Sequence, residues 1–143
     1  MELQEFMTTQ VVSLEPQNTV QDAAAAMQKH NIGFIPVCNP KRHLVGIVTD
    51  RDIVTRGLAN QMDVHMTSIA DVMTKELVTA QPTTSIQEAA LLMSRHQIRR
   101  LPVVQAGDLV GIVTVGDLAT KAPHGDKLHV LSAISEPSQP MNV

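Results

Sequence analysis

Along the chain, short apolar runs typical of strands alternate with apolar residues at the spacing typical of helices. A short apolar run before Pro16 predicts a strand, and apolar residues at helical spacing from Val20 to Met27 predict an amphipathic helix. Two further apolar runs, separated by a polar turn, predict two adjacent strands. The predicted order is strand, helix, strand, strand, helix, at residues 11–14, 19–30, 34–38, 44–49 and from 50 onward.

This pattern occurs twice, because the second half of the chain repeats the first. Met7-Thr8 recurs as Met73-Thr74, and the run Leu44 to Thr49 recurs without a change as Leu109 to Thr114. Such agreement over the whole pattern cannot arise by chance. The chain is therefore two copies of one supersecondary unit.

The first helix of each copy carries the sequence signature of a capping box. Thr19 is followed by Asp22, and Ser85 is followed by Glu88. A hydroxyl at the N-cap and an acid three residues later can satisfy two backbone N–H groups reciprocally. Both helices are expected to begin in this way, with Asp22 the less typical partner.

The fold class that follows is α/β (α+β), with two β-α-β-β-α repeats packed with pseudo-twofold symmetry. One copy of about 60 residues would bury only about 60% of its unfolded surface, so the two copies are expected to share one core. The predicted organisation is repeat 1 at 2–57, connector at 58–67, repeat 2 at 68–120 and tail at 121–143. In the tail, a short helix at 126–134 and a disordered end at 136–140 are expected.

Composition narrows the class of partner. A net charge of −3 and a pI near 6.0 give no electrostatic footprint for nucleic acid. Phe6 and Phe34 are the only aromatic residues, so a bound base must lie against aliphatic side chains. Cys38 is the single cysteine, which excludes an intramolecular disulfide and favours a buried, inert thiol. The chain shows neither a secretory signal nor an apolar run long enough for a membrane helix, which predicts a cytoplasmic protein without membrane contact.

Candidate chemistry lies where the second helix of each copy begins. Thr49 with Asp52, and Thr114 with Asp117, each place a hydroxyl and a carboxylate three residues apart. A capping box explains this spacing without a ligand. The same residues could also bind one, since helix N-termini attract anions and a carboxylate can accept from both hydroxyls of a ribose. A glycine three residues before each Thr would permit a close approach by that ligand.

The whole repeat resembles the cystathionine β-synthase (CBS) domain, and the tandem pair resembles a Bateman module. The resemblance rests on Met-Thr before the first strand, an Ala-rich helix, His-x-Ile-x-x-x-Pro-Val and Gly-Ile-Val-Thr-x-x-Asp, each present twice across residues 2–120. It implies a regulatory sensor that binds AMP, ADP, ATP or another adenosyl ligand in clefts between the repeats. It also implies a homodimer and a regulated partner protein that the sequence does not identify.

Site residues carried over from this resemblance fall into two sets. Asp52 and Asp117 would hold ribose, with Thr49 and Thr114 on the ribose–phosphate side. The first site would combine residues of both repeats, namely Thr49, Arg51, Asp52, Val78, Ile98, Arg99 and Arg100. The second would likewise combine Thr114 and Asp117 with Val12, Ile32, Gly33 and Phe34.

The arginines make the two predicted sites unequal. Arg51, Arg99 and Arg100 surround the first, and guanidinium groups suit phosphate oxygens. The first site is therefore expected to prefer a phosphorylated nucleotide. The second is expected to be weaker, empty or suited to a less charged adenosyl ligand. A solvated or salt-bridged role for Arg99 and Arg100 explains their presence equally well.

Catalysis and metal binding find little support. The six histidines lack ligand spacing, and the sequence has no Ser/His/Asp set and no P-loop, so neither an enzyme nor a required cofactor or metal site is expected. The alternative to a nucleotide sensor is a protein-interaction module in which the ligand sites are vestigial. In that case the two Thr/Asp pairs would serve only as helix caps.

Overall fold

The computed structural model describes residues 1–123, so the helix and the disordered end predicted for the tail lie outside the described residues. Four α-helices and four strands occur among these residues, together with short 3-10 turns at Leu3–Glu5 and Ile69–Asp71 and the turns that continue the second helix. The α-helices and strands are α1 (Val20–His30), β1 (Phe34–Cys38), β2 (Leu44–Thr49), α2 (Asp50–Asp52), α3 (Ile86–His96), β3 (Arg100–Gln105), β4 (Asp108–Thr114) and α4 (Val115–Lys121). β1 pairs with β2 in an antiparallel sheet, and β3 pairs with β4 in a second two-stranded sheet. The mixed α/β fold is thus confirmed.

After the three α-helical residues of α2, the chain remains helical but changes its hydrogen-bonding pattern. It continues as a π-helical turn at Ile53–Gly57 and a 3-10 turn at Leu58–Asn60. The corresponding helix α4 of the second repeat has no such turn over its seven residues. Single π-turns are rare and often occur at functional sites. The second helices of the two repeats therefore differ immediately after their common Thr-x-x-Asp start.

The first strand of each repeat is reduced to a single residue pair. Leu14 forms a parallel bridge with Val37, and Ala80 forms the same bridge with Val103. The neighbouring bonds of this parallel ladder would need an N–H from Pro36 or Pro16 in the first repeat, and proline has none. The same pair of prolines recurs at 102 and 82 in the second repeat. Four prolines therefore explain why strands predicted at 11–14 and 77–80 are only bridges.

Helices α1 and α3 are capped as the sequence predicts, but not equally. Asp22 N donates to Thr19 Oγ1 at 3.1 Å and Thr19 N donates to Asp22 Oδ2 at 2.9 Å, which completes the box. Ser85 Oγ accepts from Glu88 N at 3.1 Å, and α3 has no complete box. The less typical acid therefore forms the complete box. In the second copy, the segment around Glu2 bridges Ser85 and lies beside that cap.

The described residues belong to two compact units that do not coincide with the two sequence repeats. Unit 1 combines Met1–Val11 with Val78–Gln105 and the chain from Val110, and unit 2 combines Val12–Leu77 with Ala106–Leu109. Each unit has its own cluster of buried apolar side chains. The single shared core concerns how the two repeats pack on each other and stays a prediction. Each unit completes its own cluster by including residues that precede a first strand.

The segments that precede the first strands show how these cores are completed. Leu3 is fully buried in unit 1, and its repeat equivalent Ile69 is fully buried in unit 2. Leu3 N donates to Thr84 O at 3.0 Å, and Ile69 N donates to Asn18 O at 2.7 Å. The Met7-Thr8 segment of the first repeat thus packs in the unit that contains α3. The Met73-Thr74 segment of the second repeat packs in the unit that contains α1.

Candidate functional site

Both Thr-x-x-Asp sequences form complete capping boxes. Thr49 N donates to Asp52 Oδ2 at 3.1 Å and Asp52 N donates to Thr49 Oγ1 at 3.1 Å. The equivalent bonds between Thr114 and Asp117 measure 2.9 and 3.0 Å. The capping interpretation is therefore confirmed at both positions. We call these two sites the Asp52 junction and the Asp117 junction.

The Asp52 carboxylate has further partners in unit 2. Thr74 Oγ1 donates to both of its oxygens, at 3.3 Å to Oδ1 and 3.2 Å to Oδ2. Arg56 Nε lies 3.9 Å from Oδ1, and Asp52 is only 8% exposed. Burial of a carboxylate is costly unless it is paired and hydrogen-bonded, and these contacts meet that need. Asp52 thus has protein partners at both carboxylate oxygens before any ligand is considered.

Arg56 also holds the backbone next to Thr74. Its Nη1 donates to the carbonyl oxygens of Val72 and Met73, at 3.3 and 3.0 Å. One guanidinium therefore contacts the carboxylate of Asp52 through one nitrogen and the segment before Thr74 through another. This geometry suits the planar, multi-donor arginine side chain. Asp52, Arg56 and Thr74 form one connected polar group, which we call the Asp52 latch.

The Asp117 junction has no equivalent latch among residues 1–123. Thr8 and Lys121 occupy the positions equivalent to Thr74 and Arg56, and both are exposed. No hydrogen bond joins Thr8 to Asp117, and no ion pair joins Lys121 to Asp117, in this part of the chain. Asp117 is half-buried, and its Oδ2 accepts from Thr114 N. Its Oδ1 accepts no hydrogen bond from the described residues.

The glycines of the repeated motif make room for methionine. A Cβ atom at Gly46 would lie 2.6 Å from Met73 Sδ, and one at Gly111 would lie 2.6 Å from Met7 Sδ. The sequence predicts these glycines as points of close approach for a ligand. In the structure, the Met-Thr segment makes that approach instead. Methionine packs on the glycine, and the following Thr bridges the strand at Ile47 or Ile112.

Each unit places a junction beside the residues that precede the first long strand of the same repeat. In unit 2, Asp50 N donates to Gly33 O at 3.0 Å, and Phe34 pairs with Thr49. In unit 1, Val115 N donates to Arg99 O at 2.9 Å. Unit 2 contains Val12, Ile32, Gly33, Phe34, Thr49, Arg51 and Asp52, and unit 1 contains Val78, Ile98, Arg99, Arg100, Thr114 and Asp117. The predicted combination of residues from both repeats joins members of different units and stays a prediction.

A small cavity lies in unit 1 beside Arg99. It has a volume of about 170 Å³ and is lined by Met93, Ser94, Gln97, Ile98, Arg99 and Val115. Ile98 and Arg99 of this lining belong to the predicted phosphate-preferring site. Arg51, Arg99 and Arg100 are all exposed, so their charges are accessible to solvent.

The remaining polar groups offer neither a metal centre nor a reactive thiol within the described part. No cluster of three His, Cys, Asp or Glu side chains that could hold a metal occurs in residues 1–123. Cys38 is buried, and burial raises the pKa of its thiol, an effect that the charge of Arg42 partly offsets. No helix among the described residues is both long and apolar enough to cross a bilayer.

The tandem α/β repeats, each with a capped carboxylate at the start of its second helix, define a duplicated domain. The chain belongs to the CBS domain family, because the model of that family matches residues 3–58 and again residues 69–123. The resemblance inferred from the sequence is thereby confirmed.

Relatives of similar length share most of the chain. This chain is 47% identical over 117 residues to the CBS domain-containing protein YhcV of Bacillus subtilis, and the match covers 82% of each chain. It is 35% identical over 133 residues to Hypoxic response protein 1 of Mycobacterium tuberculosis, which spans 93% of each. The crystal structure of Hypoxic Response Protein I with two coordinated zinc ions matches with a TM-score of 0.79, covering 85% of this chain and 98% of that one.

Two similar structures contain adenosine compounds. The CBS domain pair of MJ0100, in complex with 5′-methylthioadenosine and S-adenosyl-L-methionine, has 28% identity and a TM-score of 0.75, covering 85% of this chain and 94% of that one. CBSX2 in complex with AMP has 28% identity and a TM-score of 0.75, covering 85% and 95%. These two proteins therefore bind adenosine-containing ligands.

Proposed function

We propose that this chain is a regulatory module that binds an adenosine-containing ligand and transmits the bound state to a partner protein. The observation that carries the proposal is the Asp117 junction. Its carboxylate accepts from Thr114 N at 2.9 Å through Oδ2, and Oδ1, which accepts no hydrogen bond from residues 1–123, can accept from a ligand. AMP, 5′-methylthioadenosine and S-adenosylmethionine, bound by similar CBS pairs, all carry the ribose that such a carboxylate can accept from.

The surroundings of the junctions suit the rest of such a ligand. With only two aromatic residues in the chain, the base would lie against aliphatic side chains such as Val12, Ile32, Val78 and Ile98. The exposed guanidinium groups of Arg51, Arg99 and Arg100 can contact phosphate oxygens. Arg51 directly precedes Asp52 in the chain, and we propose on this ground that a phosphorylated nucleotide prefers the set that contains Asp52. A ligand can alter a partner only through its different affinity for two arrangements of the module.

A thermal-shift panel of AMP, ADP, ATP, NAD, 5′-methylthioadenosine and S-adenosylmethionine tests the proposal. A ligand at 100 times its Kd that binds only the native chain adds about 2.7 kcal/mol to the free energy of unfolding. Asp117→Asn, which keeps an acceptor for the cap but loses one ribose acceptor, should weaken the response. Gln10→Asn, an exposed change outside both junctions, serves as the control. If no ligand shifts the melting temperature, the proposal is wrong.

A second candidate is an interaction module whose junctions are only helix caps. The Asp52 latch favours it, because that carboxylate already has protein partners. A homodimer also belongs to the proposal and is tested by light scattering coupled to size exclusion. Zinc is not part of the proposal, and residues 1–123 contain no cluster of three potential ligands. The expectation of no metal stays a prediction that elemental analysis of the purified chain can test.

A further inference from the structure

The two junctions share their sequence and their local backbone. Thr74 and Thr8 are equivalent residues, and each forms an antiparallel bridge with the equivalent residue Ile47 or Ile112. Thr74 N donates to Ile47 O at 2.7 Å, and Thr8 N donates to Ile112 O at 3.0 Å. Only the side chains behave differently. Thr74 Oγ1 donates to the carboxylate of its junction, whereas Thr8 makes no hydrogen bond to Asp117 within residues 1–123.

The residue four positions after each aspartate explains this difference. Arg56 contacts both the carboxylate of Asp52 and the carbonyl oxygens of Val72 and Met73. It therefore fixes the backbone directly before Thr74 at hydrogen-bonding distance from the carboxylate. Lys121 at the equivalent position carries a single ammonium group, which lacks the fork needed to bridge these groups.

We propose that Thr74 competes with the ribose of the ligand for Asp52. The Asp117 junction has no such competitor among residues 1–123, so the same ligand meets competition at Asp52 and not at Asp117. This inference rests on the proposed function. A ribose needs the carboxylate oxygens that Thr74 Oγ1 already contacts at 3.2 and 3.3 Å. A ligand at Asp52 therefore meets the Thr74 hydroxyl at both carboxylate oxygens, whereas at Asp117 it can use Oδ1, which accepts no hydrogen bond from residues 1–123.

Displacement of Thr74 has a consequence beyond the carboxylate. Residues 72–74 lead into the first strand of the second repeat, and Arg56 holds two of their carbonyl groups. A cavity of about 420 Å³, lined by Arg56, Thr74, Asp71, Met73 and Lys75 among others, gives this segment open space on one side. Ligand binding at Asp52 is thereby linked to the position of residues 72–74. The Asp117 junction has no equivalent latch among residues 1–123 through which its ligand could act in the same way.

Isothermal titration with AMP and with 5′-methylthioadenosine tests the competition one junction at a time. In an Asp117→Asn background, Thr74→Val should tighten binding at Asp52 by about tenfold, the low end for a lost hydrogen bond to a charged group. In an Asp52→Asn background, the matched variant Thr8→Val should change the Kd by less than about twofold. Thr74→Ser, which keeps the hydroxyl, should bind like the parent.

The outcomes separate this inference from the function on which it rests. If the parent binds and Thr74→Val binds equally or more weakly, Thr74 is not a competitor and the proposed function stands. If neither the parent nor any variant binds an adenosine ligand, the proposed function is wrong and the competition with it. Circular dichroism checks that each variant folds. Arg56→Lys offers a second route to a weakened latch and should also tighten binding at Asp52, while weaker binding would overturn the inference.

Discussion

Substitution of Leu3 by alanine should destabilise the unit that contains α3 and leave the unit that contains α1 unchanged. Leu3 is fully buried in the same cluster as Ile86 and Leu118. A fully buried Leu→Ala change costs about 2–5 kcal/mol, because it loses transfer free energy and leaves a cavity. We expect about 3 kcal/mol, and a matched loss for Ile69→Ala, since Ile69 is fully buried in the other cluster.

Two measurements test this prediction. Urea denaturation gives the loss of unfolding free energy, and amide chemical shifts in a two-dimensional nitrogen–proton spectrum locate the perturbation. Leu3→Ala should shift amides of residues 86–96 and 110–118, while Ile69→Ala should shift those of 20–30 and 34–49. Leu91→Ala is the control, because Leu91 is 44% exposed and its loss should cost less than about 1 kcal/mol.

The reasoning would be refuted by the opposite pattern of shifts. If Leu3→Ala perturbs residues 20–30 most strongly, the leading segment packs on its own repeat and the two units are incorrectly assigned. A loss below about 1 kcal/mol for both variants would also contradict the burial on which the units depend.

Three smaller predictions concern single positions. Gly46→Ala should destabilise the chain by about 1–3 kcal/mol in thermal or urea unfolding, because its Cβ would meet Met73 Sδ at 2.6 Å, whereas Gly116→Ala, with 3.6 Å to its nearest neighbour, should not. Gln97→Gly should stabilise the chain by up to about 1 kcal/mol in the same assay, since Gln97 ends α3 at a φ of 55°, and a loss of stability would contradict this. Because burial raises the pKa of Cys38 in the folded state, stability should fall as pH rises above about 8.5, and Cys38→Ala should remove that part of the pH dependence.

The elements could be predicted from the sequence because each depends on local chemistry. Apolar spacing and caps define α1 and α3, and the apolar runs define the four strands. The first strands could be predicted only in part. Whether a run such as 11–14 forms a ladder depends on the N–H groups of the strand beside it, and Pro36 removes one of them. The length of the first strand therefore depends on the residues of the strand that pairs with it, and the apolar run alone does not determine it.

The assignment of segments to units could not be predicted from the repeat alone. A repeat detected by identity assigns Met7-Thr8 to the first copy, as does the family model. Packing assigns it to the unit of the second copy, because Met7 fits against Gly111 there. Either packing would bury the same apolar residues, so hydrophobic patterning does not discriminate between the two. The sequence signal for this packing is a small residue opposite a large one, Gly111 opposite Met7 and Gly46 opposite Met73. The same glycines are also compatible with a close approach by a ligand, so the signal is ambiguous in the sequence.

The unequal junctions show how identical residues acquire different chemistry. Thr8 and Thr74 are the same, as are Asp52 and Asp117, so these positions alone do not distinguish the two junctions. The difference begins at Arg56, where only a planar fork can reach a carboxylate and two carbonyl groups from one side chain. Because Arg56 lies outside the repeated motif, motif comparison could not reveal it. A duplicated junction can therefore diverge through one neighbour while its threonines and its aspartate remain unchanged.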